Sequence, residues 1–143
     1  MPRQPFAIRT LTWFAGLASV GMYLSILLVF LNIGPAIMGG EHVTRTEWLR
    51  IAAPLVAAIG LLMALACYAL ASGKSWSRHV VIAIFALIIA YATTLGVLNL
   101  LRHSIMWRAL INATAFGCLS CWYFYLKRNV ARYFHQLQDR REL

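Results

Sequence analysis

Residues 51–73 read IAAPLVAAIGLLMALACYALASG, an unbroken run without Asp, Glu, Lys or Arg. A helix rises ~1.5 Å per residue, so about 20 apolar residues cross a hydrocarbon core of about 30 Å. This stretch is long enough. Three more uncharged runs occupy 10–40, 79–101 and 109–126. The last is the shortest, but Met106 and Trp107 extend it while Arg108 snorkels its charge to the interface. The spacing predicts helices over about 8–34, 47–72, 77–102 and 105–127. A charge at a helix centre costs about 2.5–3.5 kcal/mol on insertion scales, so four runs cleared of charge are informative. The chain reads as an all-α integral membrane protein. Its four transmembrane helices are expected to form one domain over 1–143, an up-down-up-down antiparallel bundle.

Composition agrees. Of 143 residues, 62% are hydrophobic and 12% charged; soluble proteins carry about 45–50% apolar and about 25% charged residues. Thirteen Lys and Arg against four Asp and Glu give a net charge of +9. A basic nucleic-acid binder would combine dense charge with ordinary hydrophobicity, so no nucleic-acid partner is expected. Disorder is excluded by the same hydrophobicity. The first run exceeds the about 7–15 residues of a secretory h-region, and Pro35 disrupts the small-residue site around 34–36. A retained anchor is expected.

The links carry turn chemistry. Gly73 stands where a C-terminal cap belongs, Ser75 and Ser104 are placed to cap the following helices, and Thr44 with Glu47 has capping-box spacing. The longest loop, 35–46, is too short for a folded domain. Alternating helices put Arg3, Arg9, Lys74, Arg78, Lys127, Arg128, Arg132, Arg140 and Arg141 on one side. Arg45, Arg50, Arg102 and Arg108 fall on the other. The positive-inside bias then places both termini in the cytoplasm, in a multi-pass protein of a bacterial inner membrane. Trp13, Trp76 and Trp122 fall near one boundary and Trp48 and Trp107 near the other, as aromatic belts do.

Few residues point to chemistry. Cys118 and Cys121 share a helix face but lie in an apolar segment without redox-fold context, so they and Cys67 read as packing residues. His42, His79, His103 and His135 form no i, i+3 or i, i+4 pair. The cores of the spans hold no Asp, Glu, Lys or Arg, and no catalytic, metal or phosphate motif is present, so neither enzyme activity nor a cofactor is expected.

Three patterns remain. Asn32, Asn99 and Asn112 fall in the same third of the membrane, close in depth to Pro54, whose missing amide exposes the Arg50 carbonyl. They read as interhelical hydrogen bonds first and as a shallow polar ligand or ion site second. Ala53, Ala57, Gly60, Ala64, Cys67 and Ala71 run down one face of the second helix, and Ala83, Ala86, Ala90 and Thr93 down the third. Such seams allow backbones to approach closely, first within the bundle and otherwise against another protein or copy. In the tail, 128–143, Val130, Phe134 and Leu137 oppose Arg128, Arg132, His135 and Asp139. An amphipathic cytoplasmic helix follows, with Lys127, Arg128 and Arg132 as contacts for anionic headgroups.

The stretch Gly73-Lys74-Ser75-Trp76-Ser77-Arg78, and Val130-x-x-Tyr133-Phe134 after the fourth run, resemble small four-helix proteins of bacterial inner membranes. The resemblance implies the bundle and no activity. Drug exporters of similar size carry a membrane-embedded glutamate that is absent here. The expected function is therefore an accessory or assembly subunit packing on membrane partners, or a homo-oligomer. A small transporter, channel or ligand-binding bundle centred on the three asparagines is the alternative. An immunity-type protein against a membrane-active toxin is a further one.

Overall fold

The computed structural model describes residues 6–139, and within the last helix the side chains only of 128–132, 134 and 136. Arg3, Arg140 and Arg141 of the charge argument, and the side chains of His135, Leu137 and Asp139, lie outside the described residues. Helix α1 spans Phe6–Phe30. A two-stranded hairpin follows, β1 Ile37–Met38 and β2 Glu41–His42. Then come α2 Arg45–Ala71, α3 Ser77–Val97, α4 His103–Leu126 and α5 Arg128–Asp139. Helices α1 to α4 are each long and apolar enough to cross a membrane.

Two helices end earlier than the hydropathy suggests, at Phe30 and Val97. The reason is backbone conformation. Asn32 (φ 60°) and Asn99 (φ 54°) are left-handed, a state Asn tolerates because its short polar side chain bonds locally. The next amides then fold back: Ile33 N–H donates to the Leu28 carbonyl at 3.0 Å and Leu100 N–H to Leu95 at 2.9 Å. This satisfies carbonyls that a helix end leaves unpaired. Gly73 (φ 62°) ends α2 the same way, with Lys74 N–H on the Ala69 carbonyl at 2.8 Å.

At the starts, the Thr44 hydroxyl accepts from Glu47 N–H at 3.2 Å, as the spacing predicts. Ser75 and Ser104 do not cap. Trp76 and Arg102 hold those positions without side-chain cap bonds. Ser75 is buried in the α2–α3 link, whose turn closes through Ser77 N–H to the Lys74 carbonyl. Ser104 instead donates to the Glu41 carboxylate at 2.6 Å, a charge-assisted bond stronger than a neutral cap.

Packing follows chain order: α1 lies on α2, α2 on α3 and α3 on α4, while α1 and α4 share no broad interface. Between α1 and α2, Ser19 Oγ donates to the Gly60 carbonyl at 2.8 Å and the Tyr23 hydroxyl to Ala57 at 3.1 Å. A methyl group on Gly60 would sit 3.0 Å from the Tyr23 ring. The α2 seam is thus partly used internally, with Gly60 buried, Ala53, Ala57 and Cys67 half-buried, and Ala64 and Ala71 exposed. The α3 seam lies elsewhere than expected. Ala83, Ala86, Ala90 and Thr93 are all exposed, because α3 buries its opposite face through Val81, Ile84, Ala92 and Gly96. At Gly96 the chains come so close that an added methyl group would collide with Met106 Sδ.

The tryptophans divide. Trp13, Trp107 and Trp122 are exposed, as belt residues would be, but Trp48 is only 5% exposed. Its indole Nε1–H donates to the Ile37 carbonyl at 3.0 Å, so Trp48 anchors the hairpin.

Candidate functional site

The hairpin closes through Gly39-Gly40, both left-handed (φ 59° and 83°), in a two-residue turn. Positive φ at both central positions suits the right-handed twist of paired strands. Gly39 also meets α4 closely, since an added methyl group would lie 2.7 Å from Ile105 Cγ2. Three side chains hold the hairpin to α4. Arg108 donates to the Gly39 carbonyl at 2.8 Å, and Glu41 accepts from Ser104 at 2.6 Å and Arg102 at 3.3 Å. Arg108 stands 4.0 Å from the same carboxylate. The Ser104 hydroxyl, opposed by some desolvation and aided by both arginines, holds the Glu41 carboxyl below its ordinary value.

Beneath the hairpin lies a cavity of about 540 Å³ between α2, α3 and α4. Its walls are mainly apolar, with Trp48, Tyr91, Arg108 and Asn112 as polar exceptions. The first turns of α2 shape one wall. Pro54 has no amide hydrogen, and the preceding stretch Trp48–Ala52 widens to a π turn with Ala53 N–H on the Trp48 carbonyl. The carbonyl used across the helices is that of Ile51, not Arg50: it accepts the Tyr91 hydroxyl at 2.7 Å.

Of the three asparagines, only Asn112 lines this cavity. Asn32 and Asn99 serve the backbone at helix ends, and both are exposed. Within the apolar spans, hydrogen bonds between helices come instead from Ser19, Tyr23 and Tyr91, each to a carbonyl of α2, while at the span ends Arg45 donates to the Phe30 carbonyl and the Tyr125 hydroxyl meets His79. Sequence reasoning missed these donors. Pro54 did not signal Tyr91, because a proline frees the carbonyl four residues before it, that of Arg50, and Tyr91 meets the Ile51 carbonyl. The Gly39-Gly40 pair was the available signal for the hairpin.

The other candidates are dispersed. Cys118 and Cys121 are exposed free thiols and Cys67 is half-buried. His79 Nδ1 lies 2.8 Å from the Tyr125 hydroxyl. Among the described residues no three of His, Cys, Asp and Glu are grouped to hold a metal ion. Lys127, Arg128 and Arg132 are exposed at the α4–α5 junction, with Lys127 Nζ 5.1 Å from the Tyr123 ring centre. The cavity offers contact surface, one amide with both donor and acceptor capacity, and a guanidinium already engaged by the hairpin. That set suits holding an apolar or weakly polar molecule. Comparison with known proteins finds no matching family, no matching curated protein and no matching solved structure.

Proposed function

We propose that this chain is a non-enzymatic membrane protein that works by packing α3 against another membrane helix, from a partner protein or a second copy. One contrast carries the proposal. The exposed face of α1 is large and apolar, through Trp13, Phe14, Leu17, Val20, Leu24 and Leu27, as a surface solvated by lipid tails is. The exposed face of α3 runs Ala83, Ala86, Ala90 and Thr93 at spacings of three, four and three. Thr93 Oγ1 already bonds the Ile89 carbonyl at 2.7 Å, so this face offers close approach and not unmet polarity. In lipid, tight packing at small residues is what drives helices together. The positive-inside bias of Lys and Arg supports cytoplasmic termini in a bacterial inner membrane, with successive spans alternating in direction. Lys127, Arg128 and Arg132 at the base of α5 add attraction to anionic headgroups. Disulfide trapping tests the face. Ala86→Cys in a background with the three native cysteines replaced should give a cross-linked product in native membranes, and Ala83→Leu with Ala90→Leu should suppress it. Absence of any product would contradict packing of this face on a second copy.

The cavity under the hairpin supports a second role, binding an apolar ligand with Asn112 as its polar contact. Asn112→Leu should weaken such binding, read as loss of quenching of Trp48 fluorescence by a brominated apolar probe. Quenching unchanged by the substitution would remove this role.

A further inference from the structure

At the end of the molecule away from the hairpin, the first turn of α3 holds a cation that no carboxylate among the described residues neutralises. Arg78 is 9% exposed and its Nε has no hydrogen-bond partner. Ser77 is fully buried with its hydroxyl unpartnered, and the Tyr123 hydroxyl is buried and unpartnered too. The Arg78 guanidinium lies 4.9 Å from the Tyr125 ring centre and 5.7 Å from that of Phe134. Ring faces attract a cation but do not supply a counter-charge. Among the described residues, no carboxylate pairs with Arg78; the ion pairs present join Glu41 to Arg102 and Arg108. A desolvated charge with an unmet donor is costly unless an anion meets it.

The surroundings indicate what kind of anion. Residues 78, 81 and 85 share one face of α3 by helical spacing. Val81 and Phe85 line a crevice of about 350 Å³ whose other walls include Leu11 and Phe14 of α1 and Leu119 of α4. The crevice exists because α1 and α4 do not pack broadly. Tyr123, which carries the unpartnered hydroxyl, lines it as well, and Lys127 stands over the Tyr123 ring. The crevice lining thus includes Val81 and Tyr123, and Arg78 stands one turn of α3 before Val81, beside the buried Ser77 at the positive end of a 21-residue helix. We propose that this is a binding site for one anionic membrane lipid. Its acyl chain occupies the crevice between α1 and α4, and its phosphate is met by Arg78 and Ser77, with Lys127 nearby. The site differs from the diffuse attraction of the exposed Arg128 and Arg132, and it does not depend on the α3 face.

Native mass spectrometry of the full chain in an uncharged detergent tests this. Phosphatidylglycerol and phosphatidylcholine with identical acyl chains are offered in turn. One equivalent of phosphatidylglycerol should be retained with about tenfold preference, as a charge-assisted hydrogen bond provides. Arg78→Gln should abolish the preference, while Arg128→Gln with Arg132→Gln should leave it. Should Arg78→Gln fail to fold by circular dichroism, Ser120→Leu fills the crevice without touching the cation and should lower occupancy. Equal retention of both lipids by the native chain overturns the proposal, as does a preference that survives Arg78→Gln. Displacement of the lipid by inorganic phosphate alone would assign the site to a free anion and overturn the lipid assignment.

Discussion

Single residues at helix ends and crossings set much of this structure. Asn99 is placed by its backbone, so Asn99→Gly should be nearly neutral. Asn99→Val should destabilise by about 1–2 kcal/mol, the cost of forcing a β-branched residue into the left-handed region. Unfolding in mixed detergent, followed by circular dichroism, separates the two outcomes. Tyr91 carries a different load. Tyr91→Phe removes the bond to the Ile51 carbonyl and should cost about 0.6 kcal/mol, the average for hydrogen bonds between membrane helices, and at most about 1.7 kcal/mol. A larger loss would mean that the π turn itself collapses. These roles were only partly legible in the sequence. Gly73 and Thr44 act as their positions suggest, because capping depends on local spacing. The roles of Asn32 and Asn99 depend on which way the chain turns at a helix end, and that of Tyr91 on how α2 and α3 face each other, neither of which local spacing specifies.

At the scale of elements, the hairpin latch should respond to acid. Its carboxyl, Glu41, is held below the ordinary value, so the folded state binds its proton less readily than the unfolded chain does. The latch therefore contributes fully above the usual Glu value of about 4.3 and is lost as pH falls through the lower folded value. Hydrogen exchange at Val43, whose amide bonds the Ala36 carbonyl at 3.0 Å, reports this directly. Protection relative to intrinsic exchange should drop across that acidic window in the native chain. Glu41→Gln should show weakened protection without the pH step. Added salt should weaken the latch too, since Arg102 and Arg108 are more than half exposed. The hairpin was hard to foresee: two strands of two residues carry no periodicity, and only Gly39-Gly40 marks the turn.

For the whole molecule, four long apolar helices were legible because charge is excluded from their centres for a reason that acts everywhere in a bilayer. Their lateral arrangement was not. Small residues recur with one rhythm on α2 and α3, yet α2 turns part of its seam to α1 while α3 turns its seam outward. A repeat of small side chains specifies that a face can pack closely, not what it meets. The exposed α3 face is the main ground for an association function, and the mass of the particle tests it most directly. Full-length protein extracted from its native membrane in mild detergent should weigh more than the 16.1 kDa chain alone after subtraction of detergent. Ala86→Leu with Ala90→Leu should return it to the single-chain mass. A native particle of one chain with no co-purifying protein, or a larger one unchanged by these substitutions, would contradict the account.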